Sequence, residues 1–385
     1  MSDDVVVAGT TLDGVGAAPP GVSAPEAPGP APGNGAGEGA LLQVTGLKKY
    51  FPILGGLLRR QVGSVYAVDD VSFEIRKGEV LGLVGESGCG KTTLGRSIIR
   101  LTEPTGGKVV FGGVDVTALD AEPLRKMRRR MQIVFQDPFG SLNPQMPVSD
   151  IIGEGLLAQG VNNRAEREER IGDALEAVGL RRDYTRRYPH EFSGGQRQRV
   201  GVARALALQP EFIVLDEPVS ALDVSIQSQV LNLLLDLRQD YDLTYLFISH
   251  NLSVIQHISD RVGVMYLGQI AEMGTVEDLY REPRHPYTVA LLSAVPNADP
   301  RRRSRRLVLK GDVPSPVNPP SGCRFHTRCW LREQLGNPEE CTTRAPELRE
   351  MGGDHLAACH FAEQVVPDVI EQAARLTPTV VAADV

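Results

Sequence analysis

From Leu41 the chain alternates apolar and polar positions: Leu42, Val44 and Leu47 begin the pattern, and Val71, Phe73 and Ile75 fall on every second residue. A period of two sends successive side chains to opposite faces, so these stretches are predicted as half-buried strands opening an antiparallel sheet. The run Val80-Leu81-Gly82-Leu83-Val84 has no polar alternation, and neither do Phe212-Ile213-Val214-Leu215 and Thr244-Tyr245-Leu246-Phe247-Ile248. Strands apolar on both sides belong in a mostly parallel sheet covered on both faces. Between the last two, Ile226, Val230, Leu233, Leu234 and Leu237 recur three or four apart, the spacing of one helix face. The pattern predicts a parallel α/β core.

Composition divides the rest. Residues 1–40 are dominated by Ala, Gly and Pro, with too little apolar surface to offset the entropy of ordering, and are predicted to be a disordered extension. Beyond His285-Pro286 the chain turns Pro-rich, then basic at Arg301–Arg306. It continues as a Cys-bearing appendage over 286–363 and ends in a tail, 364–385. The 385 residues carry a net charge of −7. That balance argues against bulk attachment to nucleic acid, which needs an excess of Lys and Arg. No apolar run approaches the roughly 20 residues that cross a bilayer, and Met1-Ser2-Asp3-Asp4 lacks the basic start of a signal peptide; a soluble, cytoplasmic chain is expected. The basic runs Arg125–Arg130 and Arg301–Arg306 read as solvated faces or as contacts with acidic loops or headgroups at a membrane surface.

The sharpest chemical signal follows the strand at 80–84. Gly85-Glu86-Ser87-Gly88-Cys89-Gly90-Lys91-Thr92 satisfies GxxxxGK[ST], and Thr93 continues into the next helix. Glycines let the backbone turn so that amide N–H groups and a helix N-terminus face an anion; Lys91 then reaches the β- and γ-phosphates and the Thr92 hydroxyl ligates Mg²⁺. The strand at 212–215 runs into Asp216-Glu217-Pro218. At the carboxyl end of a buried parallel strand, Asp216 can hold Mg²⁺ through water and Glu217 can polarise an attacking water. Phe192-Ser193-Gly194-Gly195-Gln196 opens a further helix-like run and forms a second anion-binding element. One chain binding one nucleotide would not need it, which suggests two nucleotides sandwiched between two subunits. An ordinary Ser-Gly-Gly turn fits the same residues.

Together these motifs resemble, in order and over residues 41–285, the ATP-binding cassette (ABC) family of P-loop NTPases. The resemblance implies a parallel core sheet, an antiparallel β subdomain and a helical subdomain. It implies Tyr66 as the aromatic stacking on adenine, Gln136 as the γ-phosphate and Mg²⁺ sensor, Ser193, Gly194, Gly195 and Gln196 as the signature completing a partner's site, Asp223 in the interface loop, and Glu217 with His250 as the catalytic pair. Phe192 departs from the leading Leu of the family signature. Lys48-Lys49-Tyr50-Phe51-Pro52, Gln136-Asp137-Pro138 with Ser141-Leu142-Asn143-Pro144, and His285-Pro286-Tyr287-Thr288 are similar to ATPase subunits of oligopeptide and dipeptide importers, and the Lys48–Val68 insertion to the second such subunit. That implies a partner ATPase in a heterodimer, two membrane permease subunits, an extracytoplasmic solute-binding protein and a place at the cytoplasmic face of the membrane. Nickel importers share the pattern. An exporter motor would lack the importer stretches, and a regulatory non-transport ATPase is the remaining alternative.

Four of the five cysteines, Cys323, Cys329, Cys341 and Cys359, cluster after a Cys-free span. Disulfides are unexpected in a cytosolic chain, and the C-x5-C-x11-C-x17-C spacing matches neither zinc knuckles nor ferredoxin runs. The segment resembles the C-terminal extension of peptide-importer ATPases, some of which carry a [4Fe–4S] cluster. A cluster, another metal and reduced thiols all remain open. Cys89, inside the phosphate loop, reads as a small filler.

Overall fold

The structure is a computed structural model that describes residues 39–56, 60–137, 140–295, 307–367 and 369–370. The expected disordered extension up to residue 38, Pro138 of the importer stretch, the Arg301–Arg306 run and the tail from 371 lie outside the described residues.

The alternating residues form β1 (Ala40–Gly55) and β2 (Arg60–Arg76), an antiparallel pair in which Val44 faces Phe73 and Leu47 faces Val71. Strands β4 (Gly106–Phe111) and β5 (Val114–Asp115) complete a four-stranded sheet in the order β2-β1-β4-β5. The uniformly apolar runs become β3 (Val80–Val84), β7 (Phe212–Asp216) and β8 (Thr244–Ile248), with every residue buried. With β6 (Met131–Val134) and β9 (Arg261–Tyr266) they form the parallel part of an eight-stranded sheet, in the order β9-β3-β8-β7-β6. Strand β3 is central, so the loop leaving its carboxyl end opens beside the ends of β7 and β8.

Helix α1 (Lys91–Ile98) follows β3, and α2 (Ala121–Arg130) carries the Arg125–Arg130 run into β6. The segment between phosphate loop and signature includes α3 (Val148–Ala158) and α4 (Arg164–Ala177), which pack on α5 (Gly194–Leu206) through Ile151, Ile152, Ile171 and Leu175. The predicted amphipathic helix is α6 (Val224–Tyr241), burying Val230, Leu234 and Leu237. Helix α7 (Leu252–Ile258) leads to β9, and β10 (Gln269–Thr275) pairs antiparallel with it. Among the described residues no helix is long and apolar enough to cross a membrane.

The Cys-bearing segment is bound more closely than an appendage. After α8 (Val276–Arg281) and α9 (Pro286–Ser293), it adds α10 (Trp330–Gln334), α11 (Glu340–Thr343) and the hairpin β11 (Arg349–Gly352) and β12 (His355–Ala357). Strand β12 pairs with β10, Glu272 facing Ala357, so the extension lengthens the core sheet. Trp330 Nε1 donates to Pro286 O at 2.9 Å, and buried Phe325 packs against Tyr266 and Tyr287. Buried Glu272 accepts from the amides of Arg284 (2.6 Å) and His285 (2.9 Å) and is 2.7 Å from His355 Nε2.

Candidate ATP site at the carboxyl ends of the core strands

The loop between β3 and α1 is built for close backbone approach. Gly85 and Gly90 have φ of 153° and 109°, and a Cβ there would stand 2.1 Å from Met265 O and 2.0 Å from Ala67 O. No side chain fits either position. Gly90 caps α1, accepting from Leu94 N at 2.8 Å. Lys91 Nζ folds back over the loop, donating to Gly85 O at 2.8 Å and Glu86 O at 3.1 Å. Phosphate oxygens at a helix N-terminus offer that ammonium the same acceptor chemistry with a full charge. Ser87 and Gly88 are exposed, Thr93 is half-buried, and Cys89 is buried, its thiol pKa raised by desolvation.

Thr92 Oγ1 donates to Asp216 Oδ1 at 2.7 Å. Asp216 is 1% exposed, and its Oδ2 has no hydrogen-bond partner, the nearest cation being Arg96 Nη2 at 3.8 Å. Burial pushes this carboxyl's pKa up, with Thr92 and Arg96 pulling it partly back. A buried carboxylate oxygen left unpaired beside a threonine hydroxyl is the oxygen-rich donor set that suits Mg²⁺.

Glu217 has φ of 46°, unusual for a residue with a side chain, and its amide is fixed to Ile248 O at 3.0 Å. This turn brings its carboxylate between two loops: Oε2 accepts from Gln136 Nε2 at 2.9 Å and lies 3.1 Å from His250 Nδ1. Three residues singled out separately in the sequence thus meet on one oxygen. Asp223 precedes α6 without capping it, and Ser220 Oγ donates to Glu217 O at 3.0 Å.

Ser193 is the N-cap of α5 in a reciprocal capping box: its amide donates to Gln196 Oε1 at 3.1 Å and its Oγ accepts from Gln196 N at 3.4 Å. Ser193 is exposed, and among the described residues no hydrogen bond joins residues 193–196 to the phosphate loop. The unusual Phe192 is buried, edge-on to Tyr184 with ring centroids 5.6 Å apart. Tyr66 stands half-buried on β2, edge-on to Tyr50 at 4.8 Å. Tyr50 Oη donates to Asp69, which raises the phenol's pKa together with burial.

The sequence reading missed contacts from distant segments. Tyr287 Oη accepts from Glu86 N at 2.9 Å, Arg328 forks onto the Glu86 carboxylate, and Arg324 pairs with Asp69. Nothing local marks these residues, because each partner lies more than 200 positions away.

In the extension, burial raises the pKa of all four thiols, Cys323 to about 11 and Cys359 to about 12; for Cys323, Cys329 and Cys359 neighbouring thiols add to the rise. Cys323 N donates to Cys341 O at 2.9 Å. The donors are right in kind for an iron–sulfur cluster. Even so, among the described residues no group of three or more His, Cys, Asp or Glu side chains is arranged to hold a metal ion. Of the alternatives open for these cysteines, a cluster is not carried by this geometry.

A phosphate loop, a Thr–Asp pair fit for Mg²⁺ and a carboxylate gripped by Gln and His define a nucleotide-hydrolysing P-loop protein. Residues 68–220 match the family model for the ABC transporter, and residues 271–335 match that for the C-terminal region of oligopeptide/dipeptide transporters. A Brucella ovis protein named as a peptide import ATP-binding protein is 56% identical over 322 residues, 84% of this chain and 98% of its own. The oligopeptide transport ATP-binding protein AppF of Bacillus subtilis is 53% identical over 329 residues, 85% of this chain and 98% of its own. The dimeric ATP-binding cassette MJ0796, solved in a post-hydrolysis state with ADP and Pi, superposes with a TM-score of 0.54 at 27% identity, over 61% of this chain and 98% of that one. The chain belongs to the ABC transporter family, as an ATPase carrying the oligopeptide/dipeptide transporter C-terminal region.

Proposed function

We propose that this chain is the ATP-hydrolysing subunit that drives import of oligopeptides or dipeptides across the cytoplasmic membrane. The observation that carries this reading is the union, in one chain, of the ATP site with a C-terminal region of the oligopeptide/dipeptide transporter type. Relatives named for peptide transport favour peptides over nickel, an exported solute or a regulatory role.

In the mechanism we infer, Tyr66 stacks on adenine, and the loop amides of residues 85–92, with Lys91, bind the phosphates. Thr92 and Asp216 would hold Mg²⁺, aided by Gln136, and a bound ion would supply charge neutralisation for the transferred phosphoryl group. Glu217 orients and polarises the attacking water. His250 and Gln136 keep its carboxylate aimed, and their shared hydrogen bonding to Oε2 supports that role. Ser193, exposed at the start of α5, and the half-buried Gly194, Gly195 and Gln196 that follow it would complete the site of a second ATPase subunit, which we take to be a different chain. Asp223 lies in the loop at that junction. Closing and reopening of the pair then drives two permease subunits between inward- and outward-facing states, with a solute-binding protein delivering cargo outside. In this reading the chain works at the cytoplasmic face of the membrane, in two functional parts: the cassette over 41–285 and the extension over 286–363.

Cys341 and Cys359 are buried and Cys323 and Cys329 half-buried, and a [4Fe–4S] cluster, zinc and free thiols are the cases to separate. Iron, sulfide and zinc assays on anaerobically purified protein separate the cases: stoichiometric iron and sulfide mean a cluster, and none of the three means free thiols. The transport reading is tested by reconstituting the chain with its permeases and partner ATPase in liposomes. Peptide-loaded binding protein should stimulate ATP hydrolysis severalfold; stimulation by nickel and not by peptide would overturn the assignment.

A further inference from the structure

Four contacts join the C-terminal extension to the ATP site, one of them the bond from Glu86 N to Tyr287 Oη already described. Arg328 donates from Nη1 to Glu86 Oε2 at 2.8 Å and from Nη2 to Glu86 Oε1 at 3.2 Å, a two-pronged charge-assisted pair with the arginine side chain only 8% exposed. Arg324 pairs with Asp69, the carboxylate that also accepts from Tyr50 Oη, and Tyr50 braces Tyr66 edge-on. Pro316 O accepts from the amide of Tyr66 itself at 3.0 Å.

Glu86 is the second residue of the phosphate loop. Its amide is held by Tyr287 Oη, its carbonyl by Lys91 Nζ and its carboxylate by Arg328. A carboxylate in that loop faces a problem of sign, because a nucleotide brings several negative charges to the adjacent backbone. Paired with Arg328 the carboxylate is neutralised and fixed; unpaired, it would repel the phosphates in a partly desolvated site. On the adenine side Arg324 does the equivalent for Asp69, which carries the Tyr50–Tyr66 pair.

We propose that the extension is a working part of the nucleotide site, with Arg328 and Arg324 as positioning residues: Arg328 sets the charge and shape of the phosphate loop through Glu86, and Arg324 sets the adenine-side aromatics through Asp69. In this chain nucleotide then binds more tightly with the extension docked than without it. The inference rests on the assignment of residues 85–92 as the phosphate loop.

The test is equilibrium binding of Mg·ATP and of Mg·tripolyphosphate to the full-length chain. Arg328→Gln should weaken both ligands by roughly tenfold, less than the loss at a fully buried charge pair because the Glu86 carboxylate is 28% exposed. Adding Glu86→Gln should restore affinity to within roughly threefold of wild type, since the repelling charge is gone. A merely structural role for Arg328 would not be rescued in that way. Arg324→Gln should weaken ATP and leave tripolyphosphate unchanged. Arg349→Gln, which breaks the pair with Glu363 elsewhere in the extension, controls for general loosening and should leave both affinities unchanged. Wild-type affinity in Arg328→Gln, failure of Glu86→Gln to rescue it, or equal weakening by Arg349→Gln would each overturn the proposal. Lys91→Ala separates the underlying reading: if it binds ATP as wild type does, the phosphate-loop assignment itself is wrong. If it loses ATP while Arg328→Gln does not, only the present inference fails.

Discussion

Thr92 Oγ1 donates a 2.7 Å hydrogen bond to Asp216 Oδ1, tying the first turn of the helix after β3 to the end of β7. The other oxygen of that carboxylate is buried without a hydrogen bond. Burying that oxygen unpaired costs stability, and the cost has a sign that can be measured. Because the folded-state pKa of Asp216 is raised, the group contributes stability only while protonated, and loses it as pH rises from the unfolded value through the folded one. At pH 7.5 Asp216→Asn should raise the melting temperature of the chain while abolishing Mg²⁺-dependent ATP hydrolysis. Near pH 4 the stability gain should shrink. A melting temperature lowered at pH 7.5 would contradict this.

His285 gives the opposite pH dependence. Its imidazole is buried as the cap of α9, Nδ1 accepting from Tyr287 N at 3.1 Å, and burial lowers its pKa from 6.5 to about 3. The unfolded chain takes up a proton below pH 6.5 and the folded chain does not, so stability falls as pH drops from 6.5 toward 3. The slope from this group is about 1.4 kcal/mol per pH unit. His285→Asn keeps an acceptor at the cap and removes the titration. Urea unfolding between pH 7 and 5 should show a flatter dependence in the variant; parallel curves would refute the assignment.

Glu272 fixes the junction between cassette and extension. Its carboxylate, completely buried, meets the Arg284 and His285 amides and His355. Removing it leaves these buried polar groups without a partner, so Glu272→Ala should cost roughly 3 kcal/mol or more. Denaturant titration measures this directly, and a loss below about 1 kcal/mol would mean that the network relaxes onto other partners.

Much of this organisation is legible in the sequence, for physical reasons. Val80–Val84 and Thr244–Ile248 are buried along their whole length, which favours apolar residues throughout; the one polar residue, Thr244, is satisfied by accepting from Gly78 N at 2.9 Å. The phosphate loop is equally plain, since Gly85 and Gly90 meet backbone atoms that exclude any side chain. What stayed hidden depends on tertiary approach. Arg324 and Arg328 look like any charged residues in a Pro- and Cys-bearing segment, yet they reach Asp69 and Glu86 across the fold. The extension of the core sheet by β12 is equally hidden, because three residues, His355–Ala357, are too short to give a periodicity.

The central claim is that Glu217, held by Gln136 and His250, is the base of an ATPase. It is tested most directly by measuring ATP affinity and steady-state hydrolysis side by side in wild type and Glu217→Gln. The glutamine keeps the shape and loses the basicity, so affinity should stay within about threefold while turnover falls by roughly a hundredfold or more. Hydrolysis persisting near the wild-type rate would contradict the account.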